Sequence, residues 1–264
     1  MYLATWLREN GHNPVIIDGG MLRIHTDELA KLVEKENPDL IGIGGIITGF
    51  SYLKKATKAI KKLLGDIPIV IGGQIASPIP DIIFDNTECD YIVHGYGEIP
   101  LLNLVNALEK GNSTDSIKGI SFIKNGKVCR NSAGDFPNDL DEIPFPAYDL
   151  IDVEGYIKNN EKIIGNFVNE YSKKNDNIKP VSEIRAVDFL VSRGCVAKCT
   201  FCIHEFEYKG FYHNSINYIE QHIDFMVNNY GINYLRIGEE MAFPNINIIR
   251  EFIDMMNEKL NFIN

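Results

Sequence analysis

Residues 67–77 read Ile-Pro-Ile-Val-Ile-Gly-Gly-Gln-Ile-Ala-Ser. The apolar run Ile67–Ile71 predicts a strand buried on both faces, and Gly72-Gly73 ends it. The same pattern recurs on either side. Leu40–Ile47 is a continuous apolar run with glycines, and Asp90–Val93 is a strand that runs into His94-Gly95-Tyr96-Gly97. Helical periods separate these runs. Phe50–Leu64 is amphipathic and lysine-rich, and Ile79–Asn86 is a weaker helix. Glu98–Lys110 follows as a further helix. Thr26–Glu36 precedes the runs, with Thr26 or Asp27 as its N-cap and Pro38 as its stop. Tyr2–Asn10 reads as a short helix ended by Gly11, and Val15–Ile17 as a short β-branched run closed by Asp18-Gly19-Gly20. Strands alternating with helices form βαβ units, so the fold class is α/β with a doubly wound, Rossmann-like parallel sheet. Glycine-bearing strand ends are where such a sheet binds ligands.

Gly119–Ile123, Asn125-Gly126 and Lys127–Arg130 form a hairpin with a type I′ turn signal. Residues 131–185 are mixed and polar, with Pro137, Pro144, Pro146 and Pro180, and read as a linker with short helices. Asp188–Val191 is a strand that leads into a cysteine cluster. Tyr218–Tyr230 is helical, Tyr234–Ile237 is a strand that ends in Gly238-Glu239-Glu240, and Ile246–Leu260 is helical. The expected organisation is therefore 1–130, a Rossmann-like domain with a C-terminal hairpin; 131–185, the linker; and 186–264, two further βα units. A closed eight-stranded barrel needs about 250 residues. The second region thus reads as the start of an incomplete barrel, and the chain as a fragment.

The 264 residues carry 45% hydrophobic and 23% charged side chains, enough apolar material for a sizeable core. Lys and Arg number 26 against 36 Asp and Glu, a net charge of −10. An acidic chain argues against nucleic-acid and anionic-membrane binding. Uncharged stretches such as Leu40–Leu53 are too short and glycine-rich to span a bilayer, and no signal peptide is evident. A cytoplasmic protein is the expectation.

Five cysteines lie at 89, 129, 195, 199 and 202. The odd count and the crowding of three into eight residues do not fit a disulfide framework. Cys89 and Cys129 read as small packing residues, and Trp6 as core. Cys195-Val-Ala-Lys-Cys199-Thr-Phe-Cys202 is a C-x3-C-x2-C loop after an apolar strand. Three thiolates on one loop can hold three irons of a cubane cluster and leave the fourth open to a substrate or cofactor. The alternative is structural zinc held by Cys195, Cys199, Cys202 and His204, a cramped arrangement for zinc, whose ligands usually fall into two separated pairs.

The strand Asp188–Val191, Ser192-Arg193-Gly194, the three cysteines at their spacing and Phe201 before the last of them resemble the signature of the radical S-adenosylmethionine (radical SAM) superfamily. The resemblance implies a [4Fe-4S] cluster on Cys195, Cys199 and Cys202. S-adenosylmethionine would chelate the open iron, and its cleavage would give a 5′-deoxyadenosyl radical. It also implies a cofactor contact for Phe201 and an acidic contact to the SAM amino group at the end of the second strand. Glu239 is the first candidate for that contact and Glu240 the second, since a carboxylate can pair with an ammonium.

Tyr2–His12, Pro38–Gly44, Ile71–Ser77, His94–Glu98 and the linker Leu140–Asp149 resemble cobalamin-binding radical SAM enzymes. That family implies a cobalamin-binding N-terminal domain. Gly72, Gly73 and Ser77 would face the nucleotide tail, Gly44, Gly45 and Thr48 a second loop, and Gly95, Gly97 and Glu98 the last. The Asp-x-His-x-x-Gly motif that many cobalamin proteins use for the lower cobalt ligand is lacking, and neither His12 nor His25 has its spacing. His94 is a loop candidate for a corrin contact or a partner for local backbone groups. The implied function is a radical SAM enzyme that most often transfers a methyl group to an unactivated carbon, served by a low-potential electron donor (flavodoxin or ferredoxin). Its substrate would be a small molecule or peptide. Ring closure or rearrangement without methyl transfer is the alternative within the enzyme class. A non-catalytic cobalamin or iron–sulfur module is the alternative outside it. For the 264-residue chain itself, little or no turnover is the expectation.

Overall fold

The computed structural model describes residues 1–160, 164, 183–202, 210–239 and 241–263. The chain divides into two compact units, Met1–Asn138 with Lys198–Lys209 and Asp139–Ala197 with Gly210–Asn264.

In the first unit, α1 (Tyr2–Glu9), α2 (Gly19–Leu22) and α3 (Thr26–Glu36) precede β1 (Ile41–Gly44). Then come α4 (Phe50–Leu64), β2 (Ile69–Gly72), α5 (Pro80–Asn86), β3 (Tyr91–Val93) and α6 (Glu98–Glu109). The hairpin β4 (Ile120–Lys124) and β5 (Lys127–Arg130) completes one sheet of order β1-β2-β3-β4-β5. The first three strands are parallel and the last two join antiparallel. Alternation along β2 divides the core. Ile69 and Ile71, with Ile92 of β3, pack against Leu29 and Val33 of α3, Leu53, Ala56 and Ile60 of α4, and Ile83 of α5. Val70 and Val93 pack on the other face with Leu101 and Leu104 of α6, and Leu7 of α1 joins them. Both faces are covered, as the doubly wound reading requires. Asp90 fixes the entry to the sheet. Its Oδ2 accepts from the Ile69 amide at 2.8 Å and pairs with Lys61 Nζ at 2.9 Å.

α4 holds to its expected ends because Leu53, Ala56, Thr57 and Ile60 recur at helical spacing and Gly65 follows. The turn is type I′, with positive φ at both Asn125 (52°) and Gly126 (71°). Three expectations are corrected. The run Leu40–Ile47 gives only four strand residues, and only Ile41 of them is buried. β1 lies at the sheet edge, and its glycines leave little side chain to bury. Val15–Ile17 takes no strand pairing. Neither Thr26 nor Asp27 caps α3: the N-cap is His25, without a side-chain cap bond, and Asp27 and Glu28 sit in the first turn, where the helix dipole favours acidic groups.

In the second unit, helical residues 153–160 (α7) lead by way of the undescribed segment to β6 (Ala186–Phe189) and β7 (Ser192–Gly194). β8 (Phe211–His213), α8 (Ile216–Tyr230), β9 (Tyr234–Ile237) and α9 (Ile246–Ile263) follow. β6 and β9 are parallel, and β7 and β8 antiparallel. Two βα units are present, as the sequence indicates. Part of the stretch read as a linker, 131–185, packs into this unit. Tyr148, Val153 and Ile157 share a core with Val187, Met226 and Ile232. Asp141 Oδ1 accepts from the Ser215 amide at 3.0 Å, and Tyr218 donates to the Ile143 carbonyl at 2.8 Å. Among the described residues, no helix is long and apolar enough to cross a membrane.

His222 of α8 is 1% exposed, stacked on Phe145 with ring centroids 4.5 Å apart, and its Nε2 lies 3.0 Å from the Tyr148 hydroxyl. Burial pushes its pKa down to about 4. The folded state therefore keeps it neutral, while an unfolded chain protonates it near 6.5. The stability from neutral burial is complete above pH 6.5 and is lost as pH falls toward 4, by up to about 1.4 kcal/mol per pH unit. Thermal unfolding followed by circular dichroism is expected to show the melting temperature falling from pH 7 to pH 5, and His222→Phe is expected to shallow that fall.

Candidate functional site

The parallel strands end on one edge of the first unit's sheet, β1 at Gly44, β2 at Gly72 and β3 at Val93. The loops that follow are knitted together by backbone. The Ile75 amide donates to the Gly45 carbonyl at 3.2 Å. Gly73 has φ +81°, and a Cβ there would stand 3.1 Å from the Gly45 carbonyl oxygen, so only glycine allows this approach. Ser77 is wholly buried, and its Oγ accepts from the Gly95 amide at 3.1 Å. Arg130 donates to the Ser77 carbonyl at 3.4 Å. Of the residues expected to bind cobalamin, Gly45, Gly73, Ser77 and Gly95 are thus brought together as a frame.

The others divide. Gly44 has open space where a Cβ would stand, and Thr48 is exposed beside the exposed Ile46 and Ile47. This stretch offers bare backbone and apolar side chains to a large ligand. Gly72 lies against the Val93 carbonyl, where a Cβ would stand 3.8 Å away. Gly97 packs on Leu3 as the N-cap of α6, and Glu98 is 2% exposed, so this pair is turned inward. His94 is buried, with Nε2 2.7 Å from Ser121 Oγ. Burial first, and the Arg130 charge second, push its pKa down to about 4. It serves as a neutral link to β4. Arg130 and Ser121 escape sequence reading because they come from the antiparallel hairpin, whose contact with the strand ends no local spacing signals.

In the second unit, β7 and β8 pair Ser192 with His213 and Gly194 with Phe211. Cys195 directly follows β7 in this unit, whereas Cys199 and Cys202 fall in the stretch assigned to the first unit. All three thiols are free, Cys195 and Cys202 half-buried and Cys199 exposed. The Cys202 amide donates to the Cys199 carbonyl at 3.0 Å. Phe201 is 90% exposed. Among the described residues, no three His, Cys, Asp or Glu side chains converge as ligands of a single ion. His204, the fourth ligand of the zinc alternative, lies outside the described residues. A cubane spreads its cysteines over separate irons, so three thiols outside any disulfide at this spacing suit it as a donor set.

Glu239, two residues past the end of β9, reaches back to the strand segment that precedes the cysteines. Its Oε1 accepts from the Ser192 amide at 3.0 Å and also from the Val191 amide. Leaving a buried amide unpaired costs about 1–3 kcal/mol. Glu240 lies outside the described residues.

Residues 1–105 match the family model described as the B12 binding domain. Among curated proteins, the chain is 28% identical over 233 residues to an uncharacterized methyltransferase of Pyrococcus horikoshii, covering 88% of this chain and 46% of that protein. It is 23% identical to the anaerobic magnesium-protoporphyrin IX monomethyl ester cyclase of Synechocystis, covering 94% of this chain and 46% of the cyclase. The chain thus spans about half the length of these relatives. Among solved structures, it resembles the radical S-adenosylmethionine methyltransferase TsrM from Kitasatospora setae, with a TM-score of 0.71 at 18% identity over 97% of this chain and 46% of that one. It also resembles the cobalamin-dependent S-adenosylmethionine radical enzyme OxsB, with a TM-score of 0.69 at 23% identity over 97% of this chain and 33% of that one. The comparisons agree with the resemblance carried by the sequence motifs: the B12 binding domain model covers residues 1–105, and the fold of the chain is similar to those of solved cobalamin-dependent radical SAM enzymes.

The two glycines Gly44 and Gly73 predict opposite outcomes. Gly73→Ala, at positive φ and against the Gly45 backbone, is expected to destabilise the first unit by about 1–3 kcal/mol. Gly44→Ala, with nothing in the way, is expected to be close to neutral. Urea unfolding of the two variants checks the difference.

Proposed function

We propose that the protein is a cobalamin-dependent radical SAM enzyme that transfers a methyl group to an unactivated carbon. The observation that carries this reading is the pairing, in one chain, of a sheet matched by the B12 binding domain model, with glycine-rich loops after its parallel strands and open backbone at Gly44, with a C-x3-C-x2-C loop of three cysteines outside any disulfide. When bound, the cluster and cobalamin would supply one-electron cleavage of S-adenosylmethionine and a transferable methyl group.

The chain's own residues have distinct tasks in this reading. Cys195, Cys199 and Cys202 hold three irons and leave one without a protein ligand. Gly44 and Gly45 admit the corrin's bulk to the backbone, and Thr48 borders it. Gly73, Ser77 and Gly95 keep the loops at their mutual spacing, so the binding edge is formed in advance. Phe201, exposed beside Cys202, offers an aromatic face to S-adenosylmethionine. The electron is taken from a low-potential flavodoxin or ferredoxin, and the substrate is a small molecule or peptide. Ring closure without methyl transfer is the second reading, favoured by the cyclases among the relatives.

Metal analysis after anaerobic reconstitution with cobalamin supplied tests the proposal. About four irons and about one cobalt per chain are expected. Replacing Cys195, Cys199 and Cys202 together by alanine is expected to abolish iron and spare cobalt, and Gly44→Val to lower cobalt and spare iron. Iron without cobalt in the unaltered protein would sink the cobalamin half of the proposal, and with it the methyl transfer.

A further inference from the structure

β6 runs beside β9 as far as Phe189, and by Ser192 the chain has entered β7 and pairs with β8 instead. A strand that changes partner leaves amides at the changeover outside both ladders. Here they are the amides of Val191 and Ser192, in residues that are 0% and 3% exposed. Water cannot satisfy them, and Glu239, two residues past the end of β9, does: its Oε1 accepts from both. A second tie joins the same two segments, since Ser192 Oγ donates to the Met241 carbonyl at 2.7 Å. On the other side, the Asn214 amide donates to the Val191 carbonyl at 2.9 Å. The junction is held from both sides, and Cys195 follows it by three residues.

We propose that Glu239 is a positioning residue: its carboxylate fixes the start of β7, and through β7 the place at which Cys195 is presented, before any cofactor binds. Both amide bonds fall on Oε1, so the clamp is a task of this carboxylate additional to the SAM-ammonium contact expected of Glu239 from the sequence. What Cys195 ligates rests on the function proposed above, whereas the clamp itself is a property of the metal-free chain.

The test compares Glu239→Ala, which removes the acceptor, with Glu239→Gln, which keeps an acceptor oxygen and removes the charge. Hydrogen exchange of the metal-free chain, read by mass spectrometry, is expected to speed at least tenfold in the peptide spanning Val191 and Ser192 in E239A. It should stay near the wild-type rate in E239Q, with peptides of β2 unchanged in both as the folding control. Alkylation of Cys195 by iodoacetamide is expected to change several-fold in E239A and little in E239Q. On reconstitution without S-adenosylmethionine, E239A is expected to bind less iron or to give an altered electron paramagnetic resonance signal, and E239Q to match the wild type.

Unchanged exchange in E239A overturns the clamp. Faster exchange with unchanged Cys195 alkylation overturns its effect on the cysteine. Both variants matching the wild type in exchange and iron, while losing the spectral change that S-adenosylmethionine induces, returns Glu239 to the ammonium. A wild-type chain that takes up no iron removes the proposed function, and exchange and alkylation then decide the clamp alone.

Discussion

Val70 and Ile71 are neighbours in β2 and are buried on opposite sides of the sheet, and the first unit is arranged around that alternation. A strand buried on both faces needs helices on both, and parallel neighbours can be joined only by crossovers. Each crossover returns the chain to the same edge before the next strand begins. All three parallel strands therefore finish on one edge, where their glycine loops meet. A slip of one residue in register would send Ile71 to the wrong face and separate Gly45 from Gly73. The glycine-bearing edge thus follows from core packing and was not assembled independently of it.

Among the described residues, the strands of the second unit pair two by two, β6 with β9 and β7 with β8, and two-stranded sheets are marginal alone. Helix α8 supplies the missing cohesion. Ile219 and Ile223 cover Phe189 and Val191, and Met226 covers Val187. Residues 139–160 close over the same helix through Tyr148, Val153 and Ile157. Where β6 gives way to β7 neither ladder reaches the amides of Val191 and Ser192, and Glu239 Oε1 accepts from both, while the Met241 carbonyl accepts from Ser192 Oγ. The cysteine segment leaves from a junction held by side chains.

Elements with strong periodicity were legible. α4 was readable to the residue because helical spacing and a following glycine agree, and the Asn125-Gly126 turn because its backbone conformation excludes most other residues. β1 was legible in kind and not in length, since an apolar run does not say whether a strand lies at the centre or edge of a sheet. The cysteine loop showed itself by local spacing. Glu239 was recognisable as a carboxylate at a strand end, but its partners lie 47 and 48 residues away. Nothing local in the sequence distinguishes an acid kept for a ligand from one that satisfies buried amides. The same holds for His94 and Ser121, and for Arg130 on Ser77: long-range polar pairing leaves no periodic trace.

Charge gives the Glu239 arrangement a further rationale. The chain carries −10 overall, yet residues 192–202 contain two cations, Arg193 and Lys198, and no carboxylate. The nearest acid upstream, Asp188, is paired with Arg236. Three thiolates on this segment would turn a local +2 into −1, so an uncompensated carboxylate at its base would oppose them. Two amide dipoles directed at Glu239 Oε1 place partial positive charge against that carboxylate. The interaction that satisfies the buried amides also moderates the negative charge that a thiolate loop would otherwise meet. A neutral acceptor could satisfy the amides alone.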